Sequence, residues 1–331
     1  MLNANNGPRW GSDPEAFLLR DGVVIGSEKL IPAKGLRSYA GKIVRDGVQF
    51  ELNPTSAKSV PELAGNISLL FQQLSNRITR ENKNISISFD GLVEVSREEL
   101  DSLSPGSRIL GCMPSYNVYE ERPINVDPVL YRKRSAGGHI HFGISDLQVM
   151  EERRRMVPVL DILVGNTAVL FDRDPGAAER RQNYGRAGEC RFPDHGLEYR
   201  TTSNFWLRDY TLMEFVFGIA EIAYALTFQS VHGDAGLWNG LAKVVNIKRI
   251  VQAIDTNDFE LALKNFKRIL PFLKRNLPKE GFVLTPANLD AFVGLAQKVS
   301  AKGIEAYFPA ERIITNWTEG NYTRFGDFLQ E

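Results

Sequence analysis

The segment Gly137-Gly138-His139-Ile140-His141-Phe142-Gly143 places two imidazoles at i and i+2. In an extended strand such residues point to the same face. The flanking glycines allow a second backbone or a ligand to come close. Glu198-Tyr199-Arg200 has the same spacing and sets a carboxylate beside a guanidinium. Upstream of it, Arg180, Arg181, Arg186 and Arg191 stand among Tyr184, Gly185 and Gly188, a setting for guanidiniums that meet anionic oxygens. Near the start, Gly11-Ser12-Asp13-Pro14-Glu15 enters a strand, and Glu51 stands within Phe50-Glu51-Leu52-Asn53-Pro54. A Glu in so apolar a context is costly to bury unless a cation or a donor meets it. Several carboxylates with a His, and no thiolate pair, make a donor set for magnesium or manganese rather than zinc. Each feature also has an ordinary reading: a core histidine pair, a solvated Glu-x-Arg strand, an exposed strand-end Glu.

The charge is concentrated around these residues. The 331-residue chain carries 40 Lys+Arg and 40 Asp+Glu, yet 12 of the arginines and three of the four histidines fall between Arg132 and Arg208. That window holds 13 Lys+Arg and ten acidic residues, a mixture suited to a metal-bridged polyphosphate. Overall neutrality argues against nucleic acid or an anionic membrane as partner, so any basic site must be local. With 43% apolar residues the chain can bury a large core. Cys112 and Cys190 lie 78 positions apart without CxxC spacing, so neither a disulfide framework nor a thiolate zinc site is expected. The first residues have no apolar stretch of signal-peptide type, and the greasiest run, 213–226, is interrupted by Glu214 and Glu221. These features predict a cytoplasmic protein.

The elements that must position these groups begin as antiparallel hairpins. Asp21-Gly22 joins strands at 15–20 and 23–26, and Asp46-Gly47 joins 42–45 to 48–53, since Asp-Gly supplies the positive φ that two-residue turns need. Ser59 and Pro61 open a helix to about 82 with Leu63, Ile67, Leu70, Leu74 and Ile78 on one stripe. A strand over 85–95 follows, and Ser96 with Glu99 makes a capping box. Residues 102–135 have little periodicity and predict a long functional loop. Then come a strand at 138–143, a helix over 146–171, an arginine-rich loop and a strand near 197–201. Beyond 209 the pattern is helical, over 209–230, 236–253, 257–276 and 286–301. The expected organisation is a sheet core over 1–208 and a helical part over 209–331 packed on it within the same domain. Hairpins argue against a doubly wound parallel sheet and for an α+β fold. Gly35 to Lys42 fails as a phosphate loop, because five residues separate its glycines and Ile43 follows the lysine. HExxH, GxSxG and GxGxxG are absent.

Six motifs together resemble the phage-type carboxylate-amine ligases, amidoligases of the glutamine synthetase and glutamate-cysteine ligase superfamily. They are GSDPE at 11–15, FELNP at 50–54, GC-P-YN at 111–117, AGGHIHFG at 136–143, YGRAGECR at 184–191 and EYRTTSNFW at 198–206. The resemblance implies an antiparallel sheet of glutamine synthetase catalytic type with flanking helices, holding ATP and divalent metal. It implies that Glu15, Glu51, His139 and Glu198 are metal ligands. His141, Arg181, Arg191 and Arg200 would contact the nucleotide, and Glu51, Arg186 and Arg200 would act in catalysis, with Arg180 or Arg181 as alternatives for the Arg186 role. The implied reaction phosphorylates a substrate carboxylate and lets an amine displace phosphate, giving an amide. Substrates would be small-molecule or peptide carboxylates and amines, and a homo-oligomer is compatible. One departure concerns the substrate loop: Met113 follows Cys112 where the family usually has an acid, and Ser115 stands where a second is common. Two alternatives stay open at this point, a phosphotransferase on the same fold and a non-catalytic nucleotide- or metal-binding relative.

Overall fold

The structure, a computed structural model, describes residues 2, 7–81, 84–109, 115–124, 132–278 and 280–320. Within them the fold is mixed α and β, with 14 strands that pair antiparallel throughout. In chain order these are β1 (Arg9–Ser12), β2 (Glu15–Arg20), β3 (Val23–Ile25), β4 (Leu36–Ser38), β5 (Gly41–Asp46), β6 (Gln49–Pro54) and β7 (Ile85–Ser88). The others are β8 (Leu92–Glu94), β9 (Ser115–Asn117), β10 (Arg122–Ile124), β11 (Lys133–Ser135), β12 (Ile140–Gly143), β13 (Glu189–Arg191) and β14 (Gly196–Tyr199). One sheet runs β1-β12-β14-β13-β9-β10, and β11-β8 is a ribbon. A second sheet runs β3-β2-β6-β5-β4, with β7 also on β2. Asp13 and Pro14 carry the chain from β1 in the first sheet to β2 in the second.

Alternation along the strands divides the first sheet into two faces. Trp10, Phe142, Leu197 and Tyr199 turn to the core, where Trp10 meets Phe142 at 5.4 Å and Phe217 at 5.8 Å between ring centres. Phe217 belongs to the helix Tyr210–Val231. That helix is long and apolar enough to cross a membrane, at a mean hydropathy of 1.5, yet 83% of the apolar window is buried in the fold. The amphipathic helix Val60–Glu81 buries Leu63, Ile67, Leu70 and Leu74, as the stripe predicts, and Phe71 besides, while Ile78 is half-buried at its end.

Several expected elements take a different form. Asp21 and Gly22 both have positive φ, as the first hairpin requires, but the second turn is Gly47-Val48, not Asp46-Gly47. Asp46 instead closes β5 opposite Gln49. Gly at the first turn position with positive φ is the arrangement of a type II′ turn, and it lets Val48 bury itself against Val95 and Leu103. The 85–95 strand breaks at Asp90-Gly91, where the Gly91 amide donates to Asp174 at 2.6 Å. Ser96 does cap the helix Arg97–Ser102, accepting from the Glu99 amide at 3.0 Å, whereas the Glu99 carboxylate accepts from Gly26 rather than closing the box. The 146–171 helix is interrupted after Glu151 and widened by a π-helical turn at Asp161–Gly165. The 236–253 helix becomes Gly236–Val244 and Ile247–Asp255, because Asn246 caps the second piece by accepting from the Lys248 amide at 3.0 Å. Within 102–135 lie the turn of helix Pro105–Arg108 and strands β9, β10 and β11. Cys112 and Met113 lie outside the described residues, and Ser115 begins β9 buried.

Candidate functional site

Register assembles the site on the face of the first sheet opposite the core. Gly11 pairs with His141, His141 with Glu198, and Glu198 with Arg191, so these residues form one row across β1, β12, β14 and β13. Two positions along each strand come Asp13, His139 and Arg200 on the same face. Gly11 is small where His141 needs room, since a Cβ there would lie 3.3 Å from the His141 Cβ. The glycines before His139 make space for the protein itself. A Cβ on Gly137 would stand 2.3 Å from His139 Nε2, and one on Gly138 would stand 2.4 Å from the Ser203 carbonyl.

The resulting contacts form a cluster of Asp13, His139, His141 and Glu198. Asp13 Oδ1 lies 2.8 Å from His139 Nδ1 and 3.1 Å from His141 Nε2. Glu198 Oε1 is 3.6 Å from His139 Nδ1, 3.7 Å from Arg191 and paired with Arg200. Arg200 also donates to the Tyr184 hydroxyl at 2.9 Å, and that hydroxyl meets His139 Nε2. Burial raises the cost of charge here, but His139 and His141 hold the Asp13 carboxyl well below the usual range. Against its own burial, Glu198 is likewise held low, chiefly by Arg200. Burial lowers His139, with Arg200 adding to it against Asp13, whereas burial of His141 is overcome by Asp13 and Glu198 together, so that His141 is raised.

A second cluster, Glu15, Asp46 and Glu51, stands on the neighbouring sheet. Glu15 pairs directly with Glu51 across β2 and β6, and Asp46 reaches the same face through the turn shift described above. Glu15 Oε2 accepts from the Gly137 amide at 2.7 Å and lies 3.4 Å from Gln49 Nε2. Asn53 donates to Glu51. Burial, then repulsion from Asp13, Glu15 and Asp46, pushes Glu51 up to about 9. Crowded carboxylates that raise one another in this way gain from a divalent cation.

The four expected metal ligands therefore divide between two adjacent clusters. Glu15 and Glu51 lie in one, His139 and Glu198 in the other. His141, expected at phosphate, stands among the ligand candidates, while Arg191 and Arg200 border them through Glu198. Two expected arginines are not brought to either cluster. Arg181 is fully buried against Asp172 at 3.1 Å and donates to the Gly185 carbonyl at 2.7 Å, so it ties a loop to the core. Arg186 is part-exposed and pairs with Glu120 at 2.5 Å. Arg180, the other alternative, is buried and donates to the Ala136 and Thr202 carbonyls at 3.2 Å each. Sequence reasoning missed Asp13, Asp46 and Tyr184. Asp13 was legible as the residue two before Glu15, on the same face of an extended segment.

The described donors are carboxylate oxygens and imidazole nitrogens with no sulfur among them, a set fitted to a hard divalent cation. Cys190 is no ligand candidate, since it is buried on the core face and its thiol is pushed up to about 12, chiefly by burial. Fold and site together define an antiparallel-sheet α and β protein with paired acidic clusters bordered by guanidiniums. Residues 128–232 match the family model described as phage phiEco32-like COOH.NH2 ligase-type 2, which supports the resemblance carried by the motifs. The matched stretch contains His139, His141, Arg191, Glu198 and Arg200. No curated protein matches the chain.

Proposed function

We propose that the protein is an ATP-dependent carboxylate-amine ligase with the glutamine synthetase type of catalytic sheet, forming an amide through an acyl phosphate. The observation that carries this reading is the pair of adjacent acidic clusters, one of them bordered by Arg191 and Arg200. Asp13, His139, His141 and Glu198 would hold one divalent cation, and Glu15, Asp46 and Glu51 another. Bound magnesium or manganese supplies neutralisation of phosphate oxygen charge.

The chain's own residues do the rest. A substrate carboxylate oxygen attacks the γ-phosphorus of ATP, the bond to the β,γ-bridging oxygen breaks, and ADP leaves. The amine nitrogen then attacks the acyl carbon, phosphate departs, and the nitrogen gives up a proton. Neither step needs a protein nucleophile, so the work falls on positioning and charge. Arg191 and Arg200, which border the first cluster through Glu198, would meet developing negative charge on the phosphoryl oxygens. Tyr184 fixes His139 and Arg200 relative to each other through one hydroxyl.

The test is an assay for ADP, phosphate and a product lighter by one water than its two substrates, using a host-cell metabolite pool with ATP and Mg²⁺. ADP and phosphate are expected in equal amounts, and only with carboxylate, amine and cation all present. Glu198→Ala and His139→Ala should each lower turnover by at least about a hundredfold. Full turnover in either variant would refute the site. ADP without free phosphate would identify a phosphotransferase, and nucleotide binding without any turnover a non-catalytic relative.

A further inference from the structure

Gln49 stands inside the second acidic cluster and is itself uncharged. It lies directly opposite Asp46 across β5 and β6, and two residues before Glu51 on its own strand. Directly opposed residues share a face, and so do alternate residues on a strand, which puts Gln49 on the side of the sheet that carries Glu15, Asp46 and Glu51. Its side chain is buried, with the residue only 4% exposed. The nitrogen end of the amide has partners: Nε2 donates to the Ser135 carbonyl at 3.1 Å and lies 3.4 Å from Glu15 Oε2. Two acceptors at that end identify it as the nitrogen. The oxygen end differs. Among the described residues no donor meets Gln49 Oε1, which is shut away from water.

An acceptor buried without a partner costs about 1–3 kcal/mol. Here it is buried beside three carboxylates, which bring more acceptor oxygens to the same space. A divalent cation would take an oxygen from each acid and from the amide as well, since hard cations accept carbonyl and carboxylate oxygens alike. A neutral ligand also suits the place. Burial and the neighbouring acids already push Glu51 up to about 9, and an amide oxygen adds a donor to the cation without adding a charge.

We propose that Gln49 Oε1 is a ligand of the cation held by Glu15, Asp46 and Glu51, while its Nε2 ties that ligand set to the segment entering the histidine strand. The tie is visible from both ends: Gln49 holds the Ser135 carbonyl, Glu15 holds the Gly137 amide, and His139 follows two residues later. Gln49 therefore joins the cation of one sheet to a cluster residue of the other. That a cation occupies the Glu15 cluster rests on the ligase reading above.

The test counts bound Mn²⁺ through the paramagnetic resonance signal of the free ion, using the full chain without nucleotide. A His141→Ala variant lacks a ligand of the first cluster, so the tight Mn²⁺ it keeps belongs to the second. In that background Gln49→Met preserves the side-chain length and removes the amide, and Mn²⁺ affinity should fall at least about tenfold, the lower bound for groups that support a metal site. Gln49→Glu returns an oxygen but no donor, and affinity should recover to the His141→Ala level or beyond. A residue that only braced Ser135 would give the opposite order, because a carboxylate there repels Glu15 and the Ser135 carbonyl. Melting temperatures check that each variant folds. Unchanged affinity in Gln49→Met, an affinity in Gln49→Glu below that of Gln49→Met, or no bound Mn²⁺ in the His141→Ala background overturns the proposal. Parent turnover is measured separately. Release of ADP and phosphate alongside a cation indifferent to Gln49 would leave the ligase reading standing, whereas a Gln49-dependent cation in a protein without turnover would sink that reading and keep Gln49 as a ligand.

Discussion

Asp161 offers a sharp test of how the sheet is held from behind. It is fully buried in the π-helical turn and accepts from the hydroxyls of Tyr119 and Tyr199 at 2.7 Å each. Tyr199 lies between Glu198 and Arg200, so Asp161 anchors the core side of the strand whose other face carries the site. Burial pushes the Asp161 carboxyl up to about 7, against hydrogen bonds from Tyr199, Tyr119 and the Gly188 backbone. The ordinary Asp value is 3.8, so the folded protein holds this proton over a wider pH range than the unfolded chain does. A raised acid in the folded state contributes full stability below the unfolded value, and the contribution is lost as pH rises toward 7. Above pH 7 the accumulated cost is on the order of 4 kcal/mol, at about 1.36 kcal/mol for each pH unit of displacement.

Asp161→Asn removes the titration while keeping an acceptor for one tyrosine and a donor toward the other. Urea denaturation at pH 5, 6, 7 and 8 should show the parent losing stability relative to the variant between pH 5 and 7, with the difference levelling above 7. At pH 8 the variant should equal or exceed the parent. Asp161→Ala strands both hydroxyls and should destabilise at every pH by about 2 kcal/mol or more. Parallel pH profiles for parent and Asp161→Asn would refute the reasoning, because they would mean that Asp161 is ionised in both states across this range.

Arg181→Met should lower stability by about 3–5 kcal/mol, read as the urea midpoint, because it leaves Asp172 charged and buried. Arg191→Gln, at a side chain 35% exposed, should change stability by less than about 1 kcal/mol while turnover falls. Gly138→Ala should cost about 1–3 kcal/mol by thermal melting, since its Cβ would meet the Ser203 carbonyl and Trp206 Nε1 at 2.4 Å. Gly65→Ala, in the helix Val60–Glu81 with nothing within 4 Å, should instead stabilise by about 0.5–1 kcal/mol.

What could be read from the sequence was what depends on local period. His139 with His141, and Glu198 with Arg200, share a face because alternate residues on a strand always do. The apolar stripe of Val60–Glu81 and the Asp21-Gly22 turn were legible for the same reason, each being settled within a few residues. Which strand lies beside which is a long-range matter, and the row Gly11, His141, Glu198, Arg191 exists only after β1, β12, β14 and β13 have paired. The arginines show the limit most clearly. Arg180, Arg181, Arg186 and Arg191 are alike in sequence, yet the fold buries two against carbonyls and Asp172, pairs one with Glu120 and leaves one beside Glu198.

Asp46 shows how a local rule loses to packing and why the loss matters chemically. Asp-Gly is the favoured pair for a type I′ turn, and a turn there would remove Asp46 from the ladder. Burial of Val48 against Val95 and Leu103 moves the turn one residue onward, and Gly47 can take the positive φ that this demands. A displacement of one residue in a hairpin changes the face of every side chain that follows. Here it keeps Asp46 in β5, diagonal to Glu51 across the pair and on the same face as Glu15. Three carboxylates then share a space in which one of them is pushed up to about 9, an arrangement that an apolar contact at Val48 made possible and that a bound proton or a divalent cation relieves. The same turn sets Gly47 against the Ile109 carbonyl, so one buried valine fixes both the acidic cluster and the packing of the residue that follows helix Pro105–Arg108.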